Sequence, residues 1–415
     1  MGILQRFRSR DKPNFWNRVS NATSYFFGYG TSQELVTPDT AMRLSTVYAC
    51  VRVIADSISS MSLHVYERLD NGGKKKALNH PLDRIIYREP NPEMTSYAWR
   101  NAMMSHLLLW GNSYNQIIRD GYGRVVSLYP LLPEFMKVDR DEETHKLTYT
   151  YTDTWGVRHD LAPEEVLHIP GLGFDGIVGY SPIAMERNAI SLGLAAEKYG
   201  AGFFGNGAIP SGILEHPGTL NKPEKLREAW NKAYGGSGNS GKVAILEEGM
   251  KFHQIAIPNN EAQFLETRKF QVEEICRIFQ VPPHMVGNLD HATFSNIEHQ
   301  EMEYVKHTID PWISRIEQSM DRALLTEREK QHYTTRFNVD SLLRGDFKSR
   351  MEAYQIGRQN GFYSTNDVRE MEGKEPIPHE EGGDAYLVNG NMIPISLAMT
   401  GENFRKKDKA SAEKE

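Results

Sequence analysis

Apolar residues at Val305, Ile309, Trp312, Ile313, Ile316, Met320, Ala323 and Leu324 keep a three-and-four spacing that runs straight through Pro311. That period lays one helix face against a core. Proline cannot donate to the carbonyl of His307, and its ring crowds the preceding turn, so the pattern predicts one long helix kinked at Pro311 rather than two helices. Around it the period changes repeatedly. Val47, Val51, Ile54 and Ile58 recur at helical spacing from Ser45, and Leu63 and Val65 then begin to alternate, so a helix leads into a strand. Asn71-Gly72-Gly73 reads as a turn with a charged exit through Lys74, Lys75 and Lys76. A second helix is expected from Ser96 to Trp110, with Trp99, Met103, His106, Leu107 and Trp110 on one side. Two hairpins follow: Tyr114 to Arg119 and Val125 to Tyr129 flank Asp120-Gly121, and a further pair flanks Thr154-Trp155-Gly156. The first part is therefore α+β.

Ser181-Pro182 places a capping hydroxyl before a proline at the first helical position, opening a helix expected to reach Phe204. Small residues crowd it, although each glycine costs about 1 kcal/mol of helix propensity, which points to close packing. Residues 208–260 read as a small α/β insertion, with strands at Gly212 to Glu215, Val243 to Leu246 and His253 to Ile257 around a helix from Pro223 to Tyr234. A helix from Glu261 to Gln280 leads to a connector, Val281 to Ser295, carrying Pro282, Pro283 and Gly287. Beyond the kinked helix come a strand near Thr335 to Val339, a helix from Phe347 to Asn360 and a capped turn at Ser364-Thr365-Asn366.

Composition excludes several classes. The chain has 415 residues, 39% of them hydrophobic, which suffices for two or three packed units. Cys50 and Cys276 are its two cysteines and match no ligand spacing, so neither a disulfide framework nor a zinc site is expected. No stretch suits a bilayer, the basic start has no apolar region after it, and Arg6 stands where a myristoylation signal needs Ser or Thr. The formal net charge of −6 argues against tight DNA binding, which draws on a clear basic excess. Positive charge gathers instead at Arg6, Arg8, Arg10 and Lys12 and at Arg405, Lys406, Lys407 and Lys409, in what read as mobile tails.

Three strings invite an enzymatic reading. Gly236 to Lys242 has P-loop spacing, but a P-loop follows a strand, opens a helix and carries Ser or Thr after its lysine; here Val243 stands there, with a helix before and a strand after. Gly171, Gly173 and Gly176 spell GxGxxG, yet the next helix starts only at Ser181, so a loop needing positive φ is the plainer reading. His299, Glu303 and His307 share a helix face, but two full turns splay the outer pair too far for one ion. No catalytic residue, metal site or cofactor is expected.

Five strings, in order, resemble the portal proteins of tailed bacteriophages, the HK97-type portal family. They are Ser45 to Ala55, Gly111-Asn112-Ser113-Tyr114 with Leu128 to Leu131, Gly179-Tyr180-Ser181-Pro182, Phe203 to Gly212, and Phe279 to Gly287, where Gln280 stands in place of a common glycine. The resemblance covers residues 35–395 and implies an α+β portal-type fold: a wing (35–180), a stem helix (181–207), an inserted α/β clip (208–260), a second stem helix (261–280), a channel loop (281–295), a kinked helix and wing strand (296–345) and a helical crown (346–395), between a basic tail (1–34) and a C-terminal tail (396–415).

It further implies a closed ring of about twelve copies, built through heterologous contacts, at one capsid vertex. Double-stranded DNA would pass without being read during packaging and ejection. A terminase large subunit and a head-completion adaptor would dock on the clip, and the ring would nucleate capsid assembly with major capsid and scaffolding proteins, away from any membrane. The DNA-facing loop would comprise Val281, Pro282, Pro283, His284, Met285, Val286, Gly287, Asn288, Leu289, Asp290, His291, Ala292 and Thr293, with the tip from Asn288 to Thr293. Ala189, Gly193, Ala196 and Gly200 would pack the stem between copies. Two other readings stay open: a nucleotide-dependent enzyme using Gly236 to Lys242, which would turn over ATP, and a different head-tail adaptor ring, for which the chain is long.

Overall fold

In a computed structural model, residues 28–29, 32, 34–70, 73–141, 143–205, 212–219, 223–234, 245–246, 249–254, 261–289, 294–339, 342, 347–372 and 374–388 are described. The chain divides into two units, 1–338 and 339–415.

The first unit is built on helices α1 (Ser45–Ser60) and α3 (Ser96–Trp110), which face each other through their apolar stripes. Val47, Ile54 and Ile58 of one and Trp99, Met103 and Leu107 of the other are fully buried, as their spacing predicts. Thr95 caps α3 through its hydroxyl, and Gly111 ends it with φ 76°. Between them lie β1 (Leu63–Arg68), β2 (Lys74–Lys76) and the short α2 (Pro81–Tyr87). The expected charged exit at Lys74 is in fact this short strand at a sheet edge, where three lysines discourage a further strand from pairing. Asp83 on α2 accepts from the Val65 N–H at 2.8 Å and faces His64 Nδ1 at 3.1 Å, tying helix to strand.

Both expected hairpins are present: β3 (Asn112–Arg119) with β4 (Val125–Leu131), and β6 (Leu147–Thr152) with β7 (Arg158–Leu161), the latter joined by β5 (Met136–Arg140). β8 (Val166–Pro170) closes the other edge of β3. Tyr114, Leu131, Val138, Tyr149, Val166 and Val178 form the core between these sheets.

Among the described residues every strand pairing is antiparallel, so the α+β expectation holds. The helix expected from Ser181 is bent: α4 (Pro182–Met185) and α5 (Arg187–Gly205) meet at Glu186, which leaves helical geometry at ψ 27°. Glu186-Arg187-Asn188 offers no apolar side chain to hold the turn to the core.

The insertion contains β9 (Gly212–Glu215), α6 (Pro223–Tyr234) and β10 (Lys251–Gln254), with Trp230 stacked on Phe252 at 5.7 Å. Ile245 and Leu246 are not in a strand as expected, and Val243, Ala244 and residues 255–257 lie outside the described residues. α7 (Glu261–Phe279) returns from it and packs on α5 and α1.

The long helix runs as α8 (Phe294–Tyr304), a π turn (Val305–Ile309) and α9 (Asp310–Leu324). The π turn absorbs the donor missing at Pro311: the Asp310 N–H reaches back five residues to Val305 O. α9 then holds strand β11 (Tyr333–Phe337) by its carboxylates. Glu317 accepts from Phe337 N–H at 2.8 Å, and Asp321 accepts from Thr335 N–H at 2.6 Å. β11 pairs with β1, Thr335 opposite Val65.

Cys50 and Cys276, distant in sequence, are brought into thiol contact where α1 meets α7; both are free and buried. The hydrogen bond with Cys276, then burial, pushes the Cys50 thiol up.

The second unit holds α10 (Phe347–Gln359), β12 (Asn360–Ser364), α11 (Thr365–Met371) and β13 (Tyr386–Val388). Ser364 caps α11 in a capping box with Asp367, as its hydroxyl suggests. Helices α10 and α11 are joined in this unit by a two-stranded sheet: Gly361, at φ 73°, turns the chain into β12, which pairs with β13.

Burial makes two histidines acid-sensitive. It lowers His106 to about 4, and it lowers His168 to about 3 with help from Arg322. In the unfolded chain both take up protons near pH 6.5. Below that pH the unfolded state therefore binds more protons, and stability is lost as pH falls from 6.5 towards 4, by about 1.4 kcal/mol per unit for each histidine. Among the described residues His106 Nδ1 has no hydrogen-bond partner, so His106→Leu should remove this histidine's share of the slope. Urea melts of both proteins across that range check this.

Candidate functional site

Two places in the first unit concentrate the residues that the sequence singles out. One is a backbone knot where β3, β8 and the start of α4 meet. Gly171 N–H donates to Gly111 O at 2.8 Å. A Cβ on Gly111 would stand 2.2 Å from Tyr180 O, on Gly173 2.1 Å from Val178 O, and on Gly179 2.1 Å from Gly111 O. These glycines exist because backbones touch. Of the GxGxxG string only Gly176 has the expected positive φ, 69°.

Asn112 clamps the knot, donating to Gly179 O at 2.7 Å and accepting from Gly179 N–H at 2.8 Å. Its Oδ1 is thereby an acceptor, so His168 Nε2 donates to it at 3.1 Å and His168 Nδ1 accepts from the Tyr149 hydroxyl at 3.2 Å. The ring stacks on Tyr114 at 4.4 Å. Ser181 Oγ donates to Leu109 O at 2.5 Å while capping Ala184 N–H at 3.1 Å. Two strings that look independent in sequence, Gly111 to Tyr114 and Gly179 to Pro182, thus form one joint.

The second place is the connector. α7 ends in a Schellman motif: Val281 N–H reaches Cys276 O at 2.9 Å and Gln280 N–H reaches Arg277 O at 3.2 Å, with Gln280 left-handed at φ 55°. The resemblance places glycine there, and the geometry explains why. Gln280→Gly should stabilise the chain by about 1 kcal/mol by relieving that conformation, read as a higher urea midpoint.

Pro283–Val286 then form a 3-10 turn that Gly287 ends at φ 90°. Thr308 Oγ1 donates to Gln280 O at 2.6 Å and His284 Nδ1 meets Gln300 Oε1 at 2.8 Å, pinning the turn to the long helix. Val281 is buried and Pro282, Pro283, His284, Met285 and Val286 are half-buried, so Val281 cannot face a channel. Exposure begins at Gly287 and Leu289; Asp290, His291, Ala292 and Thr293 lie outside the described residues. No Lys or Arg occurs from Val281 to Ser295.

Of the four residues expected to pack between copies, Gly193 also makes a contact inside the chain: a Cβ there would come within 2.9 Å of Leu44 and 3.6 Å of Gln271. Gly200 is also buried within the chain, whereas Ala189 and Ala196 are partly exposed beside the exposed side chains of Leu192 and Tyr199.

Gly236 to Lys242 lies outside the described residues. His299 and Glu303 are exposed, 3.5 Å apart, and no metal-ligand cluster occurs among the described residues. Nor, among them, is any helix long and apolar enough to cross a membrane.

The model of the phage portal protein family matches residues 45–373. A probable portal protein of Streptomyces phage phiC31 is 37% identical over 89% of this chain and 82% of its own length. The portal protein of Enterobacteria phage HK97 is 33% identical over 88% and 86%. Two solved structures share the fold. One is a chain in the neck of a native gene transfer agent particle computed with C12 symmetry, at TM-score 0.54 and 20% identity, covering 84% of this chain and 95% of that one. The other, an HK97 family phage portal protein from Corynebacterium diphtheriae, has TM-score 0.55 and 14% identity over 75% and 98%. The matched span takes in the glycine joint, the helices around the insertion, the connector and the long helix with its π turn, and on that footing the chain belongs to the phage portal protein family.

Proposed function

We propose that copies of this chain close into a ring of about twelve at one vertex of a tailed-phage capsid, and that double-stranded DNA passes through its channel during packaging and ejection. The insertion at 208–260 is the docking site for the terminase large subunit and a head-completion adaptor. Residues 35–180 form the wing that meets capsid and scaffolding proteins, α5 and α7 the stem, and the second unit the crown. The chain itself catalyses nothing and takes no cofactor; ATP turnover lost on Lys242→Ala would overturn that.

The connector carries this reading. Its base is fixed to the long helix, its exposed part starts at Gly287, and it offers DNA no cationic side chain. A channel through which DNA slides must avoid phosphate contacts that have to be broken at each step. Electron micrographs of the purified chain should show end-on rings with a central hole; closed particles without an aperture would contradict the proposal.

A further inference from the structure

A cleft of about 950 Å³ lies between α9 and the sheets of the first unit, lined by Arg119, Arg140, Arg315, Arg322 and Lys330 against only two carboxylates, Glu164 and Glu327. That is an excess of positive charge in a chain whose net charge is −6. The way these cations are held preserves their charge. Arg119 donates to Gly123 O at 2.9 Å and Ala323 O at 2.8 Å, Arg140 to His145 O at 2.6 Å, and Arg315 to Gly171 O at 2.9 Å.

Backbone carbonyls orient a guanidinium without neutralising it, so its remaining donors stay available to a carboxylate. Among the described residues Arg322 makes neither a hydrogen bond nor an ion pair, and Arg140 has a buried Nε–H with no acceptor. Glu327 is engaged by Lys330 at 2.6 Å. Leu147, Val166, Ile177 and Leu325 supply apolar wall between the charges.

We infer that this cleft binds an acidic peptide segment of a partner protein, with carboxylates on Arg322 and its neighbours and an apolar side chain against the wall. The apolar wall between the cations favours a peptide over a duplex, which would bring phosphates but no apolar side chain to it. This chain's N-terminal tail is basic at Arg6 to Lys12, and its C-terminal tail sets Glu402, Asp408, Glu413 and Glu415 among Arg405, Lys406, Lys407, Lys409 and Lys414, so neither offers a net acidic segment to complement it. The cleft lies within one chain, and the inference stands apart from ring formation.

The test is fluorescence anisotropy on the full chain with a labelled Glu/Leu peptide, its Lys/Leu counterpart and a short DNA duplex. Only the acidic peptide should bind, more weakly in high salt. Arg322→Glu, with unchanged circular dichroism, should weaken it about tenfold. Arg322→Gln should fall between. Equal binding by Arg322→Glu, no binding of the acidic peptide, or preference for the duplex would each overturn the inference. If Arg322→Glu misfolds, Arg322→Gln alone decides by the same criterion.

Discussion

Gly179→Ala is expected to leave no stable folded chain. The added Cβ would sit 2.1 Å from Gly111 O and 2.5 Å from Gly171 N, both backbone atoms that cannot swing aside as a side chain would. Relief requires pulling β8 from the start of β3, which breaks the Gly171-to-Gly111 hydrogen bond and the Asn112 clamp. The loss should exceed about 4 kcal/mol, the range reserved for overpacking and broken buried networks. Gly123→Ala is the control: its Cβ would meet nothing, so only the left-handed φ of 80° is penalised, by about 1 kcal/mol. Urea melts followed by near-UV circular dichroism compare the two. Similar losses would show that backbone contact is not what holds the joint.

This joint also marks where reading from sequence stops. Local signals place α1, α3, both hairpins and the capped α11 well, because apolar period, caps and turn residues act within a few positions of themselves. Gly111 is announced locally only as the C-cap of α3; its close approach to Tyr180, and the need for glycine at Gly179, arise between residues far apart in the chain. The same holds for Cys50 with Cys276 and for Arg119 with Arg322, which come together only in the fold. Pro311 announced a distortion of the long helix, but whether it would appear as a bend or as a π turn depends on how the carbonyls around Val305 find donors. The connector was legible in outline; that its first six residues are packed rather than offered outward depends on Gln300 and Thr308, which follow it in sequence.

Removing Asn288 to His291 is the second change with a large expected effect. It shortens the connector beyond the 3-10 turn and leaves the pinned base, the Schellman end of α7 and the long helix in place. Rings should therefore assemble in normal yield. DNA packaged per head should fall roughly tenfold or more, since a connector this long without a role is uncommon in a compact domain. Nuclease-protected DNA in heads built on the variant measures this, and normal packaging would remove the connector from the mechanism. Substituting residues of the buried base, such as Val281→Ala, should instead lower stability, by about 1 kcal/mol or more.

The central claim is that a channel runs through a ring of these chains and that the connector tip faces it. Cys50 and Cys276 are buried, so a cysteine introduced at the exposed Leu289 gives one addressable thiol per copy. Labelling Leu289→Cys in purified rings with a small gold cluster and imaging them end-on locates the tip directly. The account predicts label at the rim of the central hole; label on the outer edge of the ring would contradict it.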